Sequence, residues 1–173
     1  MSDLSKFTPL SIAILTVSDS RVEATDKSGN LLKKKLESSG HILADKKICK
    51  DNIYEIRAIV SEWIVNSQLD VVLTTGGTGV TGRDGTPEAV SPLFDKTLDG
   101  FGEMFRALSY DEIVTSTLQS RAIAGVANAT YVFALPGSPG ACRLAWDSLI
   151  EHQLNSTTKP CNLVELMPRL LEK

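Results

Sequence analysis

Five residues, Val71-Val72-Leu73-Thr74-Thr75, run straight into Gly76-Gly77-Thr78-Gly79, and few folds accept that junction. The run is too short for a helix and shows no polar alternation. It reads as a central β-strand covered on both faces, the setting of a parallel sheet. Beyond it, Gly76, Gly77, Gly79 and Gly82 let the backbone approach a ligand and adopt angles barred to other residues. Exposed N–H groups in such a loop cradle an anion, usually phosphate, and Thr75 and Thr78 offer hydroxyls beside them. A plain tight turn is the other reading, but each glycine costs chain entropy on folding, and four within seven residues is a heavy cost for a turn alone.

The rest of the chain alternates strands with helices, the mark of an α/β domain. Ile12–Val17 reads as a first strand, a helix follows near Ser28–Ser39, and Gly40 is placed to end it in the left-handed conformation. A second strand spans about Ile42–Cys49. Asn52 then caps a helix whose apolar stripe is Ile53, Ile56, Val60, Trp63 and Ile64; that stripe is core. Thr86 is expected as an N-cap with Pro87 at the first helical position. Residues 101–120 look mainly helical. A fourth strand, Tyr131–Leu135, ends at Pro136-Gly137, and a last long helix covers about Ala141–Gln153. Asn155–Lys173 reads as an irregular arm. A length of 173 residues fits one domain over 1–173.

Composition removes several function classes. Lys and Arg total 18 against 21 Asp and Glu, a net charge of −3, which leaves no electrostatic footprint for nucleic acid or an anionic membrane. No apolar run approaches the roughly 20 residues of a membrane helix. Ile12–Val17 is too short for a signal-peptide core and lacks a basic leader, so a cytoplasmic protein is expected. Cys49, Cys142 and Cys161 form no C-x-x-C pair and read as free thiols, and two distant histidines, His41 and His152, argue against a structural zinc site.

In open α/β sheets ligands bind beyond the carboxyl ends of the strands. The exits here are Ser18-Asp19-Ser20-Arg21, Asp51-Asn52, Gly76-Gly77-Thr78-Gly79 continuing to Arg83-Asp84, and Pro136-Gly137-Ser138-Pro139. If these strands run parallel, all four exits meet at one edge. Carboxylates beside a phosphate repel it unless a cation lies between them, and Mg²⁺ is the usual cation, held by one or two carboxylates plus phosphate oxygens. Asp84, Asp51 and Asp19 therefore suggest metal-assisted phosphoryl or nucleotidyl chemistry. Plainer readings stand beside this one: Asp51 supports a helix start through the dipole, and Asp84 before Gly85 makes an Asp-Gly turn. Arg21, Arg83 and Arg121 are candidates to neutralise ligand phosphate, or simply surface charges.

Two nucleotide motifs are nearly matched. Gly77–Gly82 fits G-x-G-x-x-G after a strand, but the helix signal comes only at Thr86-Pro87, where the dinucleotide fingerprint would already be helical. The same residues fit the first half of a P-loop, but Arg83-Asp84 stands where Lys-Ser/Thr belongs. Spacing alone supports an anion-binding loop.

Thr74–Gly79 followed by Arg83-Asp84-Gly85-Thr86-Pro87-Glu88-Ala89 resembles the signature of the MoaB/Mog family. Ile14–Asp19, Asp26–Gly29, Ser120–Gly125 and Leu135–Pro139 agree with it, so the likeness runs from about Ile12 to Ile150. The resemblance implies a three-layer α/β/α sandwich with a mostly parallel, mixed sheet, one edge strand of which is antiparallel. It implies assembly into trimers or hexamers, and contact with other proteins of molybdenum cofactor synthesis. The activity implied is Mg²⁺- and ATP-dependent adenylylation of molybdopterin with release of pyrophosphate; a non-catalytic molybdopterin carrier or scaffold is the alternative on the same fold. The family's two essential aspartates fall on Asp51 and Asp84, which would hold the Mg²⁺. The pterin and its phosphate would be gripped by Gly76–Gly79 and Ser120-Arg121, with Ser18, Asp19, Thr75 and Pro136-Gly137-Ser138 beside them.

Overall fold

The computed structural model describes residues 6–172. Six strands form one sheet: β1 (Ser11–Val17), β2 (Ile42–Cys49), β3 (Val71–Thr75), β4 (Lys96–Thr97), β5 (Ile123–Ala127) and β6 (Thr130–Leu135), in the order β2-β1-β3-β6-β5-β4. The helices are α1 (Lys27–Ser38), α2 (Ile53–Ile64), α3 (Thr86–Val90), α4 (Asp99–Ile113), α5 (Pro139–Ala145), α6 (Glu151–Leu154) and α7 (Leu163–Leu166). A single π-turn at Trp146–Ile150 joins α5 to α6, so the expected long helix is continuous but interrupted in its winding. The expected irregular arm contains α7. Its cap is Asn162, whose Oδ1 accepts from Glu165 N–H at 3.0 Å, and the Tyr131 hydroxyl donates to Leu163 O at 2.8 Å, which ties this helix to the sheet. No helix among the described residues is long and apolar enough to cross a membrane.

Side chains alternate along each strand, and both faces of the sheet are covered, which is why the central strands read as unbroken apolar runs. Ile12, Ile14, Leu73, Phe133 and Leu135 pack on one face with Leu32 and Leu36 of α1, Phe105 of α4, and Cys142 and Trp146 of the last helical stretch. Ala13, Leu15, Val72 and Val132 pack on the other with Ile56, Val60 and Trp63 of α2 and Ala89 and Val90 of α3. The result is the three-layer α/β sandwich with a mixed sheet that the motifs imply.

β1, β2, β3 and β6 are mutually parallel, so their four exits do share one edge. The antiparallel strand is β5, which pairs with β6 on one side and β4 on the other. This corrects the expectation of an antiparallel edge strand: β4 is the edge, and it runs with the majority. β5, Ile-Ala-Gly-Val-Ala, has no period or β-branched run to announce it; its burial between neighbours, not its propensity, makes it a strand.

Helix ends show which side chains do local work. Asn52 Oδ1 accepts from Tyr54 and Glu55 N–H at 2.9 and 3.2 Å, as a cap should. Gly40 does adopt a positive φ of 87° after α1. The cap at the other end of α1 is Asp26, whose Oδ1 accepts from Gly29 N–H at 2.9 Å. Its other oxygen accepts from the Thr16 hydroxyl at 2.8 Å and pairs with Lys46 at 2.9 Å, and the carboxylate is fully buried. Thr86 is not an N-cap. Gly85 holds that position without a side-chain bond, and the Thr86 hydroxyl instead donates to Gly76 O at 2.8 Å, fastening the glycine loop to α3.

Candidate functional site

A cavity of about 600 Å³ opens at the shared carboxyl edge, within the range of small-molecule sites. Of the residues expected at a site, Ser18, Thr75, Gly76, Gly77, Thr78, Gly79, Asp84, Ser120, Pro136, Gly137 and Ser138 line it. Arg21, Gln119 and Pro139 line it too. Asp19, Asp51 and Arg121 are not in the lining: Asp51 and Arg121 contact its glycine loop, and Asp19 reaches only Asp51 and Arg83 among the described residues.

Two glycines in the loop are required by its shape. Gly76 has φ 107° and Gly77 φ 65°, and a Cβ on Gly77 would come within 2.8 Å of Asp51 Oδ2 and against the Thr86 hydroxyl. A Cβ on Gly79 would press on Asp84 Oδ2 at 2.7 Å. Gly82 has open space around its Cβ position, so the apparent G-x-G-x-x-G match has no conformational basis at its last glycine. Gly77→Ala should therefore lower stability by about 1–3 kcal/mol and displace the Asp51 carboxylate, whereas Gly82→Ala should stay within about 0.5 kcal/mol of the parent. Thermal unfolding of both variants checks this; equal losses would refute the assigned strain.

The loop is braced from two sides. Gly76 N–H donates to Leu135 O at 3.0 Å, and the Thr75 hydroxyl donates to Pro136 O at 2.9 Å, linking the exits of β3 and β6. Thr75 is thus occupied within the fold. Arg121 sends Nε to Gly79 O at 2.7 Å and Nη2 to Asp84 O at 2.8 Å, and Nη1 pairs with Glu88. The Glu88 carboxyl is held below its ordinary range by that guanidinium. Ser120 Oγ, at the cavity wall, is buried and has no hydrogen-bond partner among the described residues.

The carboxylates cluster at the base of the loop. Asp84 Oδ2 accepts from Thr81 Oγ1 at 2.6 Å and Thr81 N–H at 2.8 Å, and these bonds, the hydroxyl first, hold its carboxyl below the usual range. Asp51 Oδ1 accepts from Gly85 N–H at 3.2 Å, and Asp51 N–H donates to Asp19 Oδ1 at 3.3 Å. Burial pushes Asp51 above its ordinary range, and the negative charges of Asp84 and Asp19 push the same way against the Gly85 bond and Arg83. Asp19 Oδ2 is paired with Arg83 at 2.5 Å. Asp51 and Asp84 stand against alternate glycines, Gly77 and Gly79, of one loop, and their like charges repel. Among the described residues no group of three or more Asp, Glu, His or Cys is arranged to hold a metal by itself. Two carboxylates suit Mg²⁺ that completes its shell with water and ligand phosphate.

A family profile described as a probable molybdopterin binding domain matches residues 13–156. The chain belongs to the MoaB/Mog family of molybdenum cofactor biosynthesis proteins. It is 56% identical over 163 residues to molybdenum cofactor biosynthesis protein B of Escherichia coli (strain K12), covering 94% of this chain and 96% of that one. Its fold matches a crystal structure of molybdenum cofactor biosynthesis protein B at a TM-score of 0.83 and 47% identity, covering 85% of this chain and 92% of that one. It also matches the tungsten cofactor synthesizing protein MoaB from Pyrococcus furiosus at a TM-score of 0.75 and 38% identity, covering 84% and 92%. MoaB/Mog membership spans the residues that build the cavity.

Sequence reasoning missed Gln119 and Ser28. Ser28 Oγ donates to Gly137 O at 2.7 Å across 109 positions, a contact with no local signal. Gln119 ends a 3₁₀ turn, Val114–Gln119, that brings Ser120 to the cavity wall.

Proposed function

We propose that this protein binds molybdopterin in the cavity and adenylylates it with Mg²⁺-ATP. One observation carries the reading: a glycine loop with left-handed backbone at Gly76 and Gly77 lines a cavity of about 600 Å³, with the Asp84 carboxylate in its lining and Asp51 packed behind Gly77. The backbone N–H groups of Gly77 and Thr78, which bond to no other described residue, would supply donors for an anionic substrate, with the unpartnered Ser120 hydroxyl beside them. Asp51 and Asp84 would hold the Mg²⁺, which when bound neutralises phosphate charge and stabilises the pyrophosphate leaving group. An oxygen of the pterin's terminal phosphate forms a bond to the α-phosphorus of ATP. The α–β phosphoanhydride bond breaks, and pyrophosphate leaves with the electron pair. The chain itself orients the two substrates and places their charges, which is where catalysis of such transfers resides. Arg121 acts through the loop: its guanidinium is engaged with Gly79 O, Asp84 O and Glu88, so it positions the loop and leaves ligand contact to others.

The test is incubation with ATP, Mg²⁺ and molybdopterin, followed by assay of pyrophosphate and of an AMP–pterin product. Both should form in equal amounts. Pterin binding without pyrophosphate would make the protein a carrier and overturn the catalytic reading.

A further inference from the structure

Three arginines surround the cavity, and their partners tell them apart. Arg83 is 72% exposed and paired with Asp19. The fork of Arg121 is taken up by two backbone carbonyls and Glu88. Arg21 alone among them lines the cavity, and it is the one cationic side chain among the described lining residues.

Arg21 is also held in place without being neutralised. Its backbone N–H donates to Ser18 Oγ at 3.2 Å, and its Nη1 donates to Ser28 Oγ at 3.1 Å. The Ser28 hydroxyl donates in turn to Gly137 O, so it is a fixed acceptor for the guanidinium. Among the described residues Arg21 pairs with no carboxylate, and a guanidinium carries five N–H donors in a rigid fork. A half-buried, pinned, unpaired guanidinium at a cavity wall is suited to two parallel hydrogen bonds with a phosphate. Its placement also has a side. Ser28 belongs to α1 and Gly137 precedes α5, on one face of the sheet, whereas Asp51 and Asp84 precede α2 and α3 on the other.

We infer that Arg21 recognises the terminal phosphate monoester of the pterin, from the α1/α5 side of the cavity, and makes the site selective for the phosphorylated pterin. This rests on the molybdopterin reading above. It assigns the two substrate charges to opposite walls: the pterin phosphate to Arg21, the ATP phosphates to the metal-binding aspartates.

Equilibrium binding, without ATP, of molybdopterin and of phosphatase-treated molybdopterin to the parent protein, Arg21→Met and Arg21→Lys tests it. The parent should prefer the phosphorylated form by about 10–100-fold, the value of charge-assisted hydrogen bonds. Arg21→Met should bind phosphorylated pterin about 10–100-fold more weakly yet bind the dephosphorylated form as the parent does, which also shows that the variant is folded. Arg21→Lys should fall between them, because an ammonium is a point charge without the fork. Undiminished discrimination in Arg21→Met, or equal affinity of the parent for both ligands, would overturn the assignment of Arg21 alone. A parent protein that binds neither ligand would instead overturn the molybdopterin reading.

Discussion

Asp51→Asn should abolish most adenylyl transfer, by at least about 100-fold in turnover, while the folded protein becomes no less stable. The two halves of this result have separate causes. The amide keeps an oxygen for Gly85 N–H, which Asp51 Oδ1 accepts at 3.2 Å, so the local backbone retains its bond. It removes the charge that would bind Mg²⁺. Burial, then the charges of Asp84 and Asp19, raise the Asp51 pKa in the folded state. A carboxyl with a raised folded pKa binds its proton more tightly when folded, so ionising it costs folding free energy as pH rises above about 4. The variant escapes that cost. Its thermal midpoint should equal or exceed that of the parent at pH 7, and the gap should narrow toward pH 4. Mg²⁺-ATP should raise the midpoint of the parent more than that of the variant. Near-parental pyrophosphate release from Asp51→Asn would remove this residue from the mechanism.

The largest stability effect is expected at Asp26, away from the cavity lining. Its carboxylate is fully buried, caps α1 through Gly29 N–H, accepts from Thr16 and pairs with Lys46, which also reaches Glu23 at 2.7 Å. Burial is the strongest single influence on Asp26 and raises its pKa, but Lys46, Gly29 and Thr16 together outweigh it and hold the carboxyl below its ordinary range. Lys46 mirrors this: burial lowers its pKa most, yet Glu23 and Asp26 outweigh it and raise the ammonium above its ordinary range. The depressed acid contributes stability that is lost as pH falls below about 4. The raised base contributes stability that is lost as pH rises above about 10. Between those limits Asp26→Ala leaves the buried Lys46 ammonium with the exposed Glu23 as its one carboxylate partner among the described residues and α1 without a cap, a loss of about 3–5 kcal/mol. For a chain of this size the thermal midpoint should fall by roughly 6–20 °C. The double variant Asp26→Asn with Lys46→Met should recover part of the loss, because no buried charge then remains unpaired and Glu23 is solvated. Denaturant unfolding at pH 7 measures both, and a loss below about 1 kcal/mol in Asp26→Ala would refute the pair's role.

How much of this was legible in advance depended on how far each interaction reaches along the chain. β1, β2, β3 and β6 announced themselves because burial on one or both faces dictates residue type within a few positions. The same local logic exposed Asn52 as a cap and Gly40 as a helix stop. The candidate site was visible as four strand exits, because parallel strands must deliver them to one edge.

What the amino-acid order determined by itself was therefore the α/β class, the edge at which four strand exits meet, and the glycine loop with its acids. Only the tertiary structure decided that the poorly marked Ile123–Ala127 is the antiparallel strand and that Gly82 is idle while Gly77 is obligatory. It alone placed Asp26 with Lys46, and among three arginines left Arg21 facing the cavity. The physical reason is range: period, caps and turns act over a few residues, whereas a buried pair or an unpaired guanidinium depends on which distant groups the topology brings within hydrogen-bond reach.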